Sequence, residues 1–109
     1  MNQDLEALLT KMREVAPKLA EAKANRIYLT EFRKSKKAIL YQEAPDGTIA
    51  EKEAYAYSHP DYLEVLSGLK AAVQVEEELR YRMEVAKQRI ELFRTEQANL
   101  RSERQAYGS

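Results

Sequence analysis

The sequence predicts an all-α protein, and three observations support that prediction. The chain has only 3 Gly and 3 Pro among 109 residues, too few for the turns of an all-β or α/β fold. Apolar residues recur every three or four positions, which is the period of an amphipathic helix. From residue 61 to 107 only Gly68 interrupts good helix formers. We expect a single helical domain over residues 1–109, in which short N-terminal helices pack on one long C-terminal helix.

The first two helices are expected on either side of Pro17. The apolar period predicts a short helix over residues 1–16. Because proline lacks an N–H and disfavours helical geometry in the residue before it, we expect a break or kink there. Pro17 then begins a second helix over residues 17–44, which Pro45 ends for the same reason.

A turn and a short helix are expected over residues 45–60. Thr48 and Glu51 have the spacing of a capping box, in which the hydroxyl and the carboxylate satisfy free backbone N–H groups. This predicts a helix over residues 49–57. The alternative is a β-hairpin over residues 38–57, because apolar and aromatic residues alternate on both sides of the turn.

The last helix is predicted to span residues 61–107, about 70 Å at about 1.5 Å per residue. Ser58 is expected as its N-cap, followed by a proline in the first turn and by Asp61, whose charge suits the helix dipole. His59 is interpreted as a residue of the capping turn. The tyrosines around this turn are expected to pack the junction of the two helices: Tyr55, Tyr57 and Tyr62.

The apolar seam of this last helix predicts an oligomer. It shows two registers, separated by a three-residue slip after Val73, of which the first packs on the short helices. A helix over residues 17–44 spans only about half of the long helix, so the part from about Ile90 on needs another chain. A coiled-coil-like homo-oligomer is expected. The expected interface residues are Leu79, Met83, Ala86, Ile90, Phe93 and Leu100.

The formal net charge of zero conceals an uneven distribution. Residues 26–44 carry a net +3, residues 45–79 a net −6 and residues 80–109 a net +3. The first basic segment interleaves cations with aromatic rings, as sequence-tolerant binding of single-stranded nucleic acid requires. Its expected contact residues are Arg26, Arg33, Lys34, Lys36, Lys37, Tyr28 and Tyr41. The alternative is a solvated helix face whose lysines pair with the acidic run at residues 76–78.

The second basic segment, residues 80–109, favours an interface between chains. Six of its seven cations are arginines, and acidic residues are interspersed among them. Salt bridges beside a coiled-coil seam explain this composition, and pairs such as Glu84 with Lys87 can form along the helix.

Several functional classes are excluded by what the chain lacks. It has no cysteine and one histidine, so neither a metal site nor redox chemistry is expected. No nucleotide-binding loop, nucleophile elbow or metalloprotease motif occurs, so we expect no enzymatic activity and no cofactor. The N-terminus does not have the pattern of a signal peptide, and no run of about 18 apolar residues occurs. A cytoplasmic protein with no membrane partner is expected.

A family resemblance lies in the order of these parts. The segment Lys36-Lys37-Ala38-Ile39-Leu40-Tyr41 runs into the turn Pro45-Asp46-Gly47, and an acidic region and a long closing helix follow. This order, over residues 30–104, resembles the UvsY-type recombination mediators of tailed phages. The resemblance implies that the lysine-rich segment contacts single-stranded DNA and that oligomers help to load a recombinase on strands coated by a single-strand-binding protein. Ile39 stands where that family carries a second basic residue.

The expected function is therefore that of a small phage or prophage accessory protein of DNA recombination or replication. It would work in the cytoplasm of a bacterial host. The alternative is a helical adaptor or assembly factor that binds protein and has no affinity for nucleic acid.

Overall fold

The computed structural model describes residues 2–107, which form three helices: α1 (Asn2–Glu43), α2 (Ile49–Ser58) and α3 (Pro60–Tyr107). No strand occurs among these residues, and α3 packs against α1. The all-α prediction is confirmed. The β-hairpin alternative is wrong, because both of its expected strands lie in helices.

Of the break or kink predicted at Pro17, the break does not occur. Helix α1 continues through it, so the expected helices over residues 1–16 and 17–44 are one element. A proline inside a helix removes one backbone hydrogen bond and costs about 3 kcal/mol. Buried residues on both sides of it, Val15 and Ala22, favour the continuous helix, since burial of an apolar side chain offsets such a cost.

The described helices belong to two compact units. Unit 1 comprises Met1–Leu19 and Glu78–Ser109, and unit 2 comprises Ala20–Glu77. Unit 1 therefore combines the first turns of α1 with the second half of α3. Unit 2 contains all of α2, and its core is a cluster of Leu40, Ala56 and Tyr62 against which Tyr41 and Leu66 pack.

The seam expected at an oligomer interface is largely buried inside unit 1. Met83, Ala86 and Ile90 are buried, Leu79 and Phe93 are half-buried, and only Leu100 is exposed. The reason is the continuity of α1. Because α1 does not end at Pro17, its N-terminal part is available to pack on the second half of α3, and these side chains are covered without another chain.

Buried and half-buried positions trace one unbroken heptad along each long helix, and further half-buried residues such as Leu9, Leu66 and Val85 lie beside it. The steps alternate between three and four residues, and we label the residues before and after each three-residue step a and d. In α1 they are Leu5, Leu8, Met12, Val15, Leu19, Ala22, Arg26, Leu29, Arg33, Lys36 and Leu40. In α3 they are Tyr62, Val65, Leu69, Ala72, Glu76, Leu79, Met83, Ala86, Ile90, Phe93 and Gln97.

The three-residue slip predicted after Val73 is therefore wrong. Ala72 is buried and Val73 is exposed, so the heptad passes through Ala72 and Glu76 without interruption. A polar residue at a core position hid this register from a search for apolar periodicity.

The first turn of α2 has the hydroxyl half of the predicted capping box. The backbone N–H of Glu51 donates to Thr48 Oγ1 at 3.1 Å, and the Thr48 hydroxyl donates to the Glu51 carboxylate at 3.2 Å. The start of α3 differs from the prediction. Ser58 is the last residue of α2, where its hydroxyl donates to the carbonyl of Ala54 at 2.7 Å. His59 takes the expected role of Ser58, since its Nδ1 accepts the backbone N–H of Asp61 at 3.0 Å.

Loss of the His59 cap should destabilise the chain measurably. We expect His59→Ala to lower the free energy of unfolding by about 1 kcal/mol, the usual effect of removing an N-cap acceptor. His59→Asn, which keeps an acceptor, should retain most of that stability. Urea denaturation followed by circular dichroism measures both. Ser58→Ala is the control, and an effect of Ser58→Ala larger than that of His59→Ala would contradict the assignment.

Candidate nucleic-acid interface

Arg26 forms an ion pair inside unit 2. Its Nε and Nη2 both donate to the carboxylate of Glu76, the second over 3.2 Å. The Glu76 side chain is 1% exposed and that of Arg26 is 32% exposed. Hydrogen bonding to Glu76 is the largest cause that raises the pKa of Arg26 above its ordinary value. The pair occupies one a position of each helix, so the structure gives Arg26 a role in the core and not on a phosphate-binding surface.

An open pocket of about 420 Å³ lies beside α2 in unit 2. Helix α1 contributes three cations to its lining, α2 contributes one tyrosine and α3 contributes another. The lining residues are Arg33, Lys34, Lys37, Tyr57 and Tyr62. We call this the cationic pocket. Three of the seven residues expected to bind nucleic acid therefore meet in one place.

Lys37 and Tyr57 form the centre of the cationic pocket. The Lys37 ammonium lies 4.3 Å from the centroid of the Tyr57 ring, within the range of a cation–π contact. Hydrogen bonding to the Tyr57 side chain is the largest cause that raises the pKa of Lys37 above 10.5, so the ammonium stays charged at neutral pH. Tyr57 also meets Tyr62 edge to face, with ring centroids 5.4 Å apart.

The other two cations of the pocket are available to an anion. Lys34 lies 3.4 Å from the Glu31 carboxylate, but both side chains are about two-thirds exposed, and such surface pairs contribute little. Within residues 2–107, no hydrogen bond or ion pair to Arg33 is found. Its guanidinium can therefore donate two hydrogen bonds to one phosphate without giving up a partner in the described part of the chain.

The remaining three expected contact residues lie elsewhere. Lys36 occupies a d position of α1 and lies 3.7 Å from the Asp61 carboxylate. Tyr41 packs on the core cluster of unit 2, with the Lys52 ammonium 5.9 Å from its ring. Tyr28 stacks on Phe32, and nine residues at about 100° each place it about 180° around α1 from Lys37.

The acidic run at residues 76–78 has a smaller role than the alternative interpretation expected. Glu76 pairs with Arg26, and Glu77 also helps to raise the pKa of that arginine. The lysines named above instead lie beside Glu31 and Asp61.

Sequence reasoning missed Tyr57 and Tyr62 as members of the cationic pocket. It placed both at a packing junction, and their edge-to-face contact confirms that part. The heptad of α1 could have grouped the three cations of the pocket, but it carries no signal for the two tyrosines. It puts Arg33 at an a position and Lys34 and Lys37 at b and e, so all three point to one edge of the helix, which α2 covers.

The second basic segment shows the helix pairs that were predicted. Lys87 lies 3.4 Å from the Glu84 carboxylate, and Arg94 lies 3.0 Å from that of Glu91. All four side chains are more than half exposed. Salt bridges from this segment to a second chain stay a prediction.

Comparisons with known proteins add no relative. No protein-family model matches the chain, and no curated protein or solved structure shows significant similarity to it. Among the described residues, no group of three or more histidine, cysteine or acidic side chains could hold a metal ion. None of the described helices combines the length and the apolar character needed to cross a membrane.

Proposed function

We propose that the chain binds single-stranded DNA through the cationic pocket. The observation that supports this most directly is the convergence of Arg33, Lys34 and Lys37 beside the ring of Tyr57, which is 45% exposed. Cations that neutralise phosphates and an accessible ring on which a base can stack are the two components of sequence-tolerant single-strand binding.

The affinity of one pocket is expected to be modest. Three cations against a chain of zero net charge give a local attraction and no long-range one. Each neutralised phosphate of a single strand contributes a slope of about −0.7 to the dependence of log K on log salt. Several copies on one strand would raise the apparent affinity through effective concentration, so we propose that the protein acts as a homo-oligomer.

The proposed setting is phage or prophage DNA recombination or replication. The UvsY-type order of parts supports it, and it makes a recombinase or a single-strand-binding protein the expected partner. The protein would act without catalysis, in the cytoplasm of the bacterial host.

Anisotropy of a fluorescent oligo-dT tests the proposed function. We expect binding that weakens about 20-fold between 50 and 200 mM salt, the effect of about three phosphate contacts. The triple variant Arg33→Ala/Lys34→Ala/Lys37→Ala should lose about 10-fold or more in affinity and most of the salt dependence. Tyr57→Leu should weaken binding with the salt slope unchanged, because it removes a stacking surface and no charge.

A charge-matched control separates the cationic pocket from general electrostatics. Lys18→Ala/Lys23→Ala/Lys70→Ala removes three exposed cations that do not line it. This variant should bind as the original chain does. Absence of binding at 50 mM salt would refute the proposal and favour the protein-binding adaptor, and equal losses in both triple variants would refute the assignment to the pocket.

A further inference from the structure

Unit 2 has an exposed face that carries almost no charge. The c and g positions of α1 from residue 25 to 42 are Asn25, Tyr28, Phe32, Ser35, Ile39 and Gln42, and all are exposed. The c and g positions of α3 from residue 65 to 77 are Gly68, Ala71 and Val75, also exposed. In a chain of which 33% of the residues are charged, none of these nine is. We call this surface the uncharged face.

The two parts of the uncharged face lie on the same edge of unit 2. In each helix the g position adjoins d, and the e position adjoins a. The contact of Lys36, at d, with Asp61, at g, joins these edges of α1 and α3. Helix α2 covers the other edge, where Tyr57 meets Lys37 at an e position. The uncharged face therefore lies opposite α2 and the cationic pocket.

The equivalent positions in unit 1 carry charges, so the lack of charge is specific to unit 2. There the g positions include Lys11 and Lys18 in α1 and Arg82 and Arg89 in α3. Charged residues are usual beside a coiled-coil core that faces water. Unit 2 keeps such charges only at the ends of its c and g positions, at Glu21 in α1 and at Asp61 and Glu64 in α3. The stretch between them has none, and we expect that stretch to be covered.

The uncharged face combines exposed aromatic rings on α1 with very small side chains on α3. On α1, Tyr28 and Phe32 form a stacked pair with ring centroids 5.9 Å apart, and the Tyr28 side chain is 63% exposed. On α3, Gly68 and Ala71 leave a shallow surface, and a Cβ placed on Gly68 would meet no atom within 4 Å. One half of the face thus presents rings, and the other half presents room for them.

We propose that the uncharged face binds a second copy of this chain about a two-fold axis. The Tyr28–Phe32 pair of each copy packs on the Gly68–Ala71 surface of the other, so every contact occurs twice. The uncharged face offers no opposite charge to a charged partner. A second uncharged face has no charge that needs one, so it can be buried here without leaving a charge unpaired. This gives the oligomer of the proposed function an interface other than the seam around Ile90. The interface itself does not depend on DNA binding, since the cationic pocket stays open.

Charge complementation between two variants tests the proposal. The full chain should have twice the monomer mass by light scattering at micromolar concentration. Phe32→Glu and Gly68→Arg should each be monomeric, because each variant would bury an unpaired charge against the uncharged face of the second copy. An equimolar mixture of the two should recover the double mass, since the new glutamate then faces the new arginine. Ile49→Glu, at an exposed position of α2, is the control and should stay dimeric.

Three results would overturn the proposal: a monomeric original chain, a face variant that keeps the double mass, or a mixture that stays monomeric. Circular dichroism shows whether each variant is helical, and Ser35→Arg replaces any that is not. Oligo-dT anisotropy of the monomeric variants separates the two proposals. If a monomeric variant still binds oligo-dT with the affinity of a single pocket, the interface and the DNA site are independent.

Discussion

Glu76→Ala is expected to lower the free energy of unfolding by about 3 kcal/mol. Glu76 is the one charged side chain that is fully buried among the described residues, and its carboxylate accepts two hydrogen bonds from Arg26. Breaking a buried ion pair costs about 3–5 kcal/mol when the remaining charge stays buried. Arg26 is 32% exposed and can turn partly to water, which favours the lower end of that range. Urea denaturation measures the change.

Replacement of both Arg26 and Glu76 separates the effect of the ion pair from the effect of filling these two core positions. Arg26→Leu/Glu76→Leu should restore the stability to within about 1 kcal/mol of the original chain, because apolar residues at facing a positions pack without desolvating a charge. Glu78→Ala, two residues away and exposed, is the control and should change the stability by less than about 0.5 kcal/mol. A double variant as unstable as Glu76→Ala would contradict the importance of the ion pair.

A buried pair of this kind also selects the register of α1 against α3. A shift of one helix by a heptad would leave apolar neighbours in contact but would separate Arg26 from Glu76 and bury an unpaired carboxylate. The double leucine variant is therefore expected to lose specificity of pairing before it loses stability. Broadened amide resonances in its NMR spectrum would be the sign of this loss.

Pro17→Ala is expected to raise the free energy of unfolding by about 2 kcal/mol. Pro17 is exposed inside α1, at the outward f position of the heptad, so its replacement changes no core contact. Alanine restores the missing backbone hydrogen bond and removes the steric clash of the proline ring with the preceding turn. Together these changes are worth about 3 kcal/mol in a helix interior. The greater freedom of alanine in the unfolded chain offsets about 1 kcal/mol of that gain.

Thr10→Ala is the matched control for Pro17→Ala. Thr10 is exposed and occupies the same heptad position one repeat earlier. Its replacement should raise stability by only about 0.5 kcal/mol, the difference in helix propensity. If Pro17→Ala gave no more than this, α1 would be interrupted at Pro17 in solution, as local sequence rules alone suggest.

The elements could be predicted from the sequence wherever their signals are local. The scarcity of glycine and proline indicates helices, and the cap at Thr48 and the proline at residue 45 mark where α2 begins and α1 ends. Pro17 shows the limit of local rules. Its cost of about 3 kcal/mol is large for a peptide, but tertiary burial of residues on both sides of it is of the same size.

The candidate site was predictable only in part for a similar reason. Arg33, Lys34 and Lys37 share an edge of α1 because of helical geometry, which residue spacing determines. The separation of Tyr28 from that edge follows from the same geometry. Tyr57 lies beside Lys37 because the turn after α1 folds α2 back along α1. Residue spacing does not determine the direction of that turn.

The sequence by itself determined that this protein is helical, where its last two helices lie and which cations share an edge of α1. Only the tertiary structure decided that α1 continues through Pro17, that the seam around Ile90 is covered by its own chain and that Arg26 belongs to the core. The physical reason is that a polar residue at a core position becomes favourable only when a particular partner faces it. Arg26 and Glu76 are fifty residues apart in sequence, and packing of the two helices brings their charges together.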